Sequence, residues 1–187
     1  MLRSARFVST APLLCVTMAL LCPGTLLGAD APAGKAVAAP AAAPADLSRV
    51  ALSDDDAVAV QQLQAWLVAR GMESSISGSS IVYRRGLLLN ITPLMSNGEI
   101  DRLLFRAYYN PTDALKGKPE FAAMASSINA AQNALQVFVD GDGDLAIGGS
   151  MTFVDVVEAK EFDYYANFFV DIVKAYVLKD DVVEMLK

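Results

Sequence analysis

The sequence predicts an α+β domain in which a largely antiparallel sheet packs against helices. The apolar pattern of residues 47–187 gives the element order α-β-β-β-α-β-β-α, and strands that follow one another through short turns pair antiparallel. Residues 135–176 form the most clearly patterned stretch, a hairpin that leads into a long amphipathic helix. These two observations together indicate one α+β domain.

The first 46 residues are predicted to lie outside this domain. Arg3 and Arg6 precede an apolar run at residues 11–21, and Gly28 and Ala29 offer a cleavage site, a pattern typical of secretory signal peptides. We therefore predict a signal peptide at residues 1–29, an Ala/Pro-rich linker at 30–46 and one domain at 47–187. The expected location is the periplasm or the exterior, without membrane insertion of the mature chain. An uncleaved N-terminal membrane anchor in the periplasm is the alternative.

The first half of the domain is predicted as one helix and three strands. Ser53 is expected to cap the helix, with three aspartates in its first turn and Gly71 at its end. The strands are expected within residues 74–84, 87–94 and 100–110. The third strand alternates between two faces. One face carries Leu103, Phe105, Ala107 and Tyr109, and the other carries Arg102, Leu104, Arg106 and Tyr108.

The second half is predicted to contain a helix that starts at Pro119, the hairpin, and a last helix from near Glu158. One face of the hairpin is apolar, whereas the other carries only small side chains after its turn. This second face is expected to be either covered by another element of the chain or available for one to dock. The last helix has an apolar stripe that is wider than one contact surface needs. Phe168, Phe169 and Tyr176 in this stripe are predicted to contact a second copy of the chain, as a homodimer, or another protein.

The composition excludes much of enzyme chemistry. The chain contains no His, and both cysteines, Cys15 and Cys22, lie within the predicted signal peptide. A Ser-His-Asp triad, a cysteine nucleophile and a zinc site with His or Cys ligands are therefore excluded in the mature chain. We expect a protein that is not an enzyme and that has no cofactor.

Two carboxylate clusters offer alternatives to a binding role. Asp140, Asp142 and Asp144 alternate with glycines, which favours a hairpin turn but also suggests a calcium-responsive domain. The EF-hand pattern fails because Leu145 and Met151 occupy its glycine and glutamate positions. The second alternative is a carboxylate-dependent envelope hydrolase, with candidates that share only their residue type: Asp155, Glu158, Glu161 and Asp163.

Charge is unevenly distributed along the chain. Residues 70–118 hold seven basic and four acidic side chains, whereas residues 119–187 hold four basic and twelve acidic ones. Arg102 and Arg106 share one strand face and are predicted to contact an acidic partner surface. The net charge of −6 argues against nucleic acid as a partner.

The stretch INAAQNALQVFVDGDGDLAIGGSMTF resembles the C-terminal half of the YbjN family. The order of the other elements also fits that family over residues 51–178. This resemblance implies the fold of type III secretion chaperones, a surface that dimerises or binds peptides, and a regulatory role in sensory transduction without enzymatic activity. Family members are often cytosolic, whereas this chain is predicted to be exported. The function expected from the sequence is a non-catalytic, exported protein-binding or chaperone-like module.

Overall fold

The computed structural model describes residues 46–96 and 100–186, without the side chains of residues 180 and 181. The predicted signal peptide and nearly all of the predicted linker lie outside the described residues. The elements, in chain order, are β1 (Arg49–Ala51), α1 (Asp56–Ala69), β2 (Ser74–Ser77), β3 (Ser80–Arg84), β4 (Leu88–Leu94), β5 (Asp101–Tyr109), α2 (Pro119–Ala131), β6 (Gln136–Val139), β7 (Leu145–Phe153), β8 (Val156–Glu158), α3 (Ala159–Tyr176) and α4 (Asp180–Val183).

Six strands form one antiparallel sheet in the order β2-β3-β4-β5-β7-β6, and β1 pairs with β8 in a separate two-stranded ladder. The predicted α+β class is therefore confirmed. Residues 74–84 are extended as predicted, but they hold two strands instead of one, because β2 and β3 form a hairpin whose turn begins at Gly78 with φ of 59°. Strands β1 and β8 were not predicted, because each has only three residues and such a short strand shows no alternation of apolar and polar side chains.

Helix α1 begins later than predicted. Asp55 is its N-cap, and the carboxylate of Asp55 accepts hydrogen bonds from the N–H groups of Ala57 and Val58 at 2.9 and 3.0 Å. The Oγ of Ser53 instead accepts a hydrogen bond from the N–H group of Asp55, which precedes the helix. The prediction of Ser53 as the cap is therefore wrong, since the side chain two residues later reaches the free N–H groups of the first turn.

Helices α1 and α3 pack on one face of the sheet, which we call the inner face. Phe162 of α3 lies at the centre of an aromatic cluster, with ring centroids 5.5 Å from Trp66 of α1 and 5.7 Å from Phe105 of β5. The predicted alternation of β5 is confirmed, because Leu103, Phe105 and Ala107 are buried. Because successive side chains of a strand point to opposite faces, the residues between these buried ones lie on the other face of the sheet.

Among the described helices, none is long and apolar enough to cross a membrane. The apolar stripe of α3 is used inside the domain. Its deeply buried members all contact the core: Phe162, Ala166, Phe169, Val170 and Val173. The width of the α3 stripe is therefore explained by packing between the sheet and the flanking elements.

Candidate partner-binding site

The side of the sheet opposite α1 and α3, which we call the exposed face, is not covered by a helix within the described residues. Four apolar side chains from three strands remain 41–51% exposed there, namely Leu88, Leu94, Tyr108 and Phe138. Burying such side chains is favourable by roughly 25 cal/mol per Å² of apolar area, so an uncovered group of them marks a surface that a partner would stabilise.

A groove of about 570 Å³ runs along the exposed face over β7. Its floor is made by small residues, Gly148 and Ser150, which pair with Arg106 and Leu104 of β5. Phe138 of β6 lines the other side. The groove therefore exists because β7 alternates large apolar residues on the inner face with small ones on the exposed face, between two strands that carry long side chains.

Arg102 and Arg106 both line this groove, with Leu104 between them on the same strand face. Within residues 46–96 and 100–186 neither arginine forms an ion pair; Arg106 Nη1 donates to Tyr108 Oη at 3.5 Å. Two cations thus face solvent beside apolar side chains in a chain whose net charge is −6. This combination is suited to a carboxylate-bearing partner.

The other three predicted interface residues lie on α3 and do not line the groove. Phe169 is fully buried, and its ring contacts that of Phe105 at a centroid distance of 6.1 Å, so its side chain packs inside the domain. Phe168 and Tyr176 are partly buried and pack beside Tyr165 and Lys179, respectively. Helical spacing alone could not distinguish a stripe that packs on the sheet from one that contacts a partner.

A second cavity, of about 580 Å³, lies between the end of β7 and the start of α3. Sequence reasoning missed the two tyrosines that line it. Tyr164 is 74% exposed, whereas Tyr165 is partly buried and lines both this cavity and the groove. Burial raises the pKa of Tyr165 to about 12, because the phenolate would lose hydration.

The Asp140–Asp144 segment is used as a hairpin turn. Asp140 Oδ1 accepts hydrogen bonds from the N–H groups of Asp142 and Asp144, both at 3.0 Å. Asn110, with its amide oriented to suit its neighbours, donates to both carboxylate oxygens of Asp144 at 2.9 Å. In the described part of the chain, no three His, Cys, Asp or Glu side chains form a group that could hold a metal ion. The hydrogen bonds of Asp140 and Asp144 account for these two side chains as parts of the turn.

The four carboxylates of the hydrolase alternative lie at the start of α3 and just before it. Asp163 forms ion pairs with Arg70 at 2.6 Å and with Arg85 at 3.4 Å. It therefore joins the end of α1 and the β3–β4 turn to α3. Asp155 occupies a turn with φ of 57°, and Glu158 is the N-cap residue of α3. The two ion pairs account for Asp163 structurally.

Comparison with known proteins identifies the fold but not a function. No protein-family model and no curated protein matches this chain. Among solved structures, the chain is similar to YbjN from E. coli, described as a proposed transcription regulator. The TM-score is 0.51 at 19% sequence identity, and the match covers 73% of this chain and 98% of YbjN. The fold implied by the sequence resemblance is thus confirmed as YbjN-like, while identity at this level establishes the fold alone.

Proposed function

We propose that this chain is a non-catalytic protein-binding module, chaperone-like or regulatory, that holds its partner on the exposed face. The observation that carries this proposal is the groove between β5 and β6, where uncovered apolar side chains lie beside Arg102 and Arg106. A structural role explains the inner-face residues, but it does not explain an apolar and cationic strip that nothing in the described chain covers.

The chemistry of this strip favours a protein over other partners. Aromatic residues and arginine are enriched at protein interfaces, where they combine large contact area with directional hydrogen bonds. The two strands next to β7 provide that combination: β5 carries Tyr108, Arg102 and Arg106, and β6 carries Phe138. The acidic net charge of the chain would repel the phosphates of a nucleic acid.

The export of this module is part of the proposal and is supported by the sequence of residues 1–29. If the chain is exported, the module acts in the periplasm or outside the cell, and its partner is an envelope or secreted protein. The partner is either another protein or a second copy of the chain, and the following measurement separates these two forms.

The test compares the masses of native complexes by light scattering after isolation of the full chain from its own cells. Arg102 and Arg106 are changed together to Glu, and the matched control changes Lys116 and Lys118, both exposed and outside the groove lining, to Glu. The proposal predicts a complex for the wild type and the control, and a monomer for R102E/R106E. A wild type that is monomeric, or complexes that persist in R102E/R106E, would contradict it.

A further inference from the structure

We propose that the last part of β7 accepts an extended, acidic segment of the partner as an additional strand. This inference rests on the proposed function and deepens it, because it names the backbone that binds and the chemistry of what is bound. Strand β6 pairs with β7 only from Leu145 to Gly148, whereas β5 pairs with β7 as far as Phe153. Within residues 46–96 and 100–186, residues 149–153 of β7 therefore have a paired strand on the β5 side only, and their other side forms a free sheet edge.

The alternation of hydrogen bonds identifies which backbone groups lie on this edge. The N–H of Val137 on β6 donates to Asn129 Oδ1 of α2 at 2.8 Å, and the carbonyl of Val137 accepts from the amide of the same side chain. Val137 therefore does not exchange hydrogen bonds with its register partner Ile147. In an antiparallel pair the neighbouring positions then carry the hydrogen bonds, so Ala146 and Gly148 of β7 direct their backbone groups toward β6.

The same alternation continues beyond the end of β6. Backbone groups of every second residue point to the same side of a strand, so Ser150 and Thr152 direct their N–H and C=O groups toward the position that β6 has left. Both residues are exposed. Unpaired strand edges of this kind are templates for the addition of another strand.

Two cavities lie on either side of this edge. The groove on the exposed face and the cavity beside α3 have volumes of about 570 and 580 Å³, and Ser150 and Tyr165 line both of them. Successive side chains of a strand point in opposite directions. A strand added beside Ser150 and Thr152 would therefore place its side chains alternately in the groove and in the second cavity.

The lining residues indicate which side chains these are. On the groove side, Arg102 and Arg106 favour carboxylates. On the α3 side, Met151 and the tyrosines offer mainly apolar and aromatic contact, while Lys160 and Glu161 balance each other in charge. The bound segment is thus expected to alternate acidic and apolar residues. The edge strand β2, at the far end of the sheet, reads Ser-Ser-Ile-Ser and carries no carboxylate, which favours another protein over a second copy as its source.

The test measures binding of a fluorescein-labelled probe, the peptide Glu-Val-Glu-Val-Glu-Val, to the full-length chain by fluorescence anisotropy. Two probe isomers carry N-methyl groups on either the Glu amides or the Val amides. Alternate amides of an added strand face β7 and the others face away, so one isomer should bind at least about tenfold more weakly while the other binds within about twofold of the parent. A Lys-Val peptide of the same length should not bind.

Two protein variants test the same edge from the other side. Ser150→Pro removes an N–H group that faces the free edge and not β5, whereas Ser150→Ala retains it. We expect probe binding to be about tenfold weaker for S150P than for S150A. If S150P does not fold, the two N-methylated probes still decide the question, because they leave the protein unaltered.

The outcomes separate this inference from the proposed function. If the probe binds, is weakened by R102E/R106E, and tolerates both N-methylated forms equally, the exposed face binds acidic peptides without strand addition and the inference is wrong. If the probe does not bind at all, the inference is also wrong, while the proposed function still depends on the masses of the native complexes. A dimer that dissociates when the Glu-Val probe binds would identify a second copy as the occupant and overturn the assignment to another protein.

Discussion

Gly149 provides a sharp test of how α3 packs on the sheet. It lies on the inner face of β7, where an added Cβ atom would be 2.6 Å from Tyr165 Oη and 2.7 Å from Leu135 Cδ2. Its φ lies outside the left-handed region, so alanine is compatible with its backbone conformation. The cost of Gly149→Ala is therefore a steric cost. Neither neighbour moves freely, because Leu135 is buried and the Tyr165 ring lies 4.9 Å from Phe105.

The neighbouring glycine supplies a matched control. An added Cβ atom at Gly148, on the exposed face, meets nothing within 4 Å. Replacing glycine by alanine in a strand gains about 0.5–1 kcal/mol by restricting the unfolded chain, and this gain applies to both positions. Overpacking costs about 1–3 kcal/mol and applies only to Gly149. The free energy of unfolding of G149A should therefore be about 1–3 kcal/mol lower than that of G148A.

Urea unfolding of the two variants measures this difference from the midpoints, provided that the m-values agree. Tyr165→Phe removes one of the two clashing atoms, so the double variant G149A/Y165F should recover part of the loss, with a coupling energy of about 0.5–1.5 kcal/mol. Equal stabilities of G149A and G148A, or the absence of coupling, would refute the described contact of Tyr165 and Leu135 with β7.

Three further predictions concern single side chains. Asp163→Asn leaves the largely buried Arg70 without its 2.6 Å ion pair and should lower the free energy of unfolding by about 1–3 kcal/mol, measured by urea titration. Asn129→Ala leaves both backbone groups of Val137 without partners and should cost about 1–2 kcal/mol by the same method. Burial raises the pKa of Tyr165 to about 12, so between pH 10 and 12 this tyrosine ionises in the unfolded chain but stays neutral in the folded one, and the free energy of unfolding falls as pH rises. Tyr165→Phe should remove roughly 1–2 kcal/mol of that fall, after allowance for the partial exposure of the ring. Urea unfolding at each pH measures the difference.

Each of these predictions has a control on the same helix. Asp171→Asn, at an exposed position of α3, should change stability by less than about 0.5 kcal/mol. Ser126→Ala, at an exposed position of α2, should behave in the same way. Tyr164→Phe, at a site 74% exposed, should change the free energy of unfolding at neutral pH by less than about 0.5 kcal/mol. Effects of equal size in a variant and its control would contradict the specific contact concerned.

Periodic patterns predicted most of the fold, since they reflect which face of an element is buried. The alternation along β5 correctly separated Phe105 from Arg106. The small residues of β7 line the groove on the exposed face. The start of α1 was misplaced because several residues near Ser53 could cap a helix, and only the three-dimensional path of the chain decides among them. The β2–β3 hairpin was missed because its serines carry no alternation.

The candidate site could be predicted only in part, because it depends on pairing between distant segments. That β6 ends opposite Gly148 while β7 continues to Phe153 is a property of the register, and no local pattern contains it. Conversely, Phe169 has the spacing of an interface residue but is fully buried, since the sheet uses the same stripe. Sequence reasoning identified the arginines of the groove but not the free edge beside them.

The most direct test of the central claim is photocrosslinking in living cells from a single position on the exposed face. A photoreactive residue replaces Leu104, at the centre of the groove, and in a second strain it replaces Val68, which is 50% exposed on α1. The account predicts a discrete protein adduct from position 104 and none of the same mass from position 68. No adduct from position 104, or identical adducts from both positions, would contradict the claim that the exposed face is the binding surface.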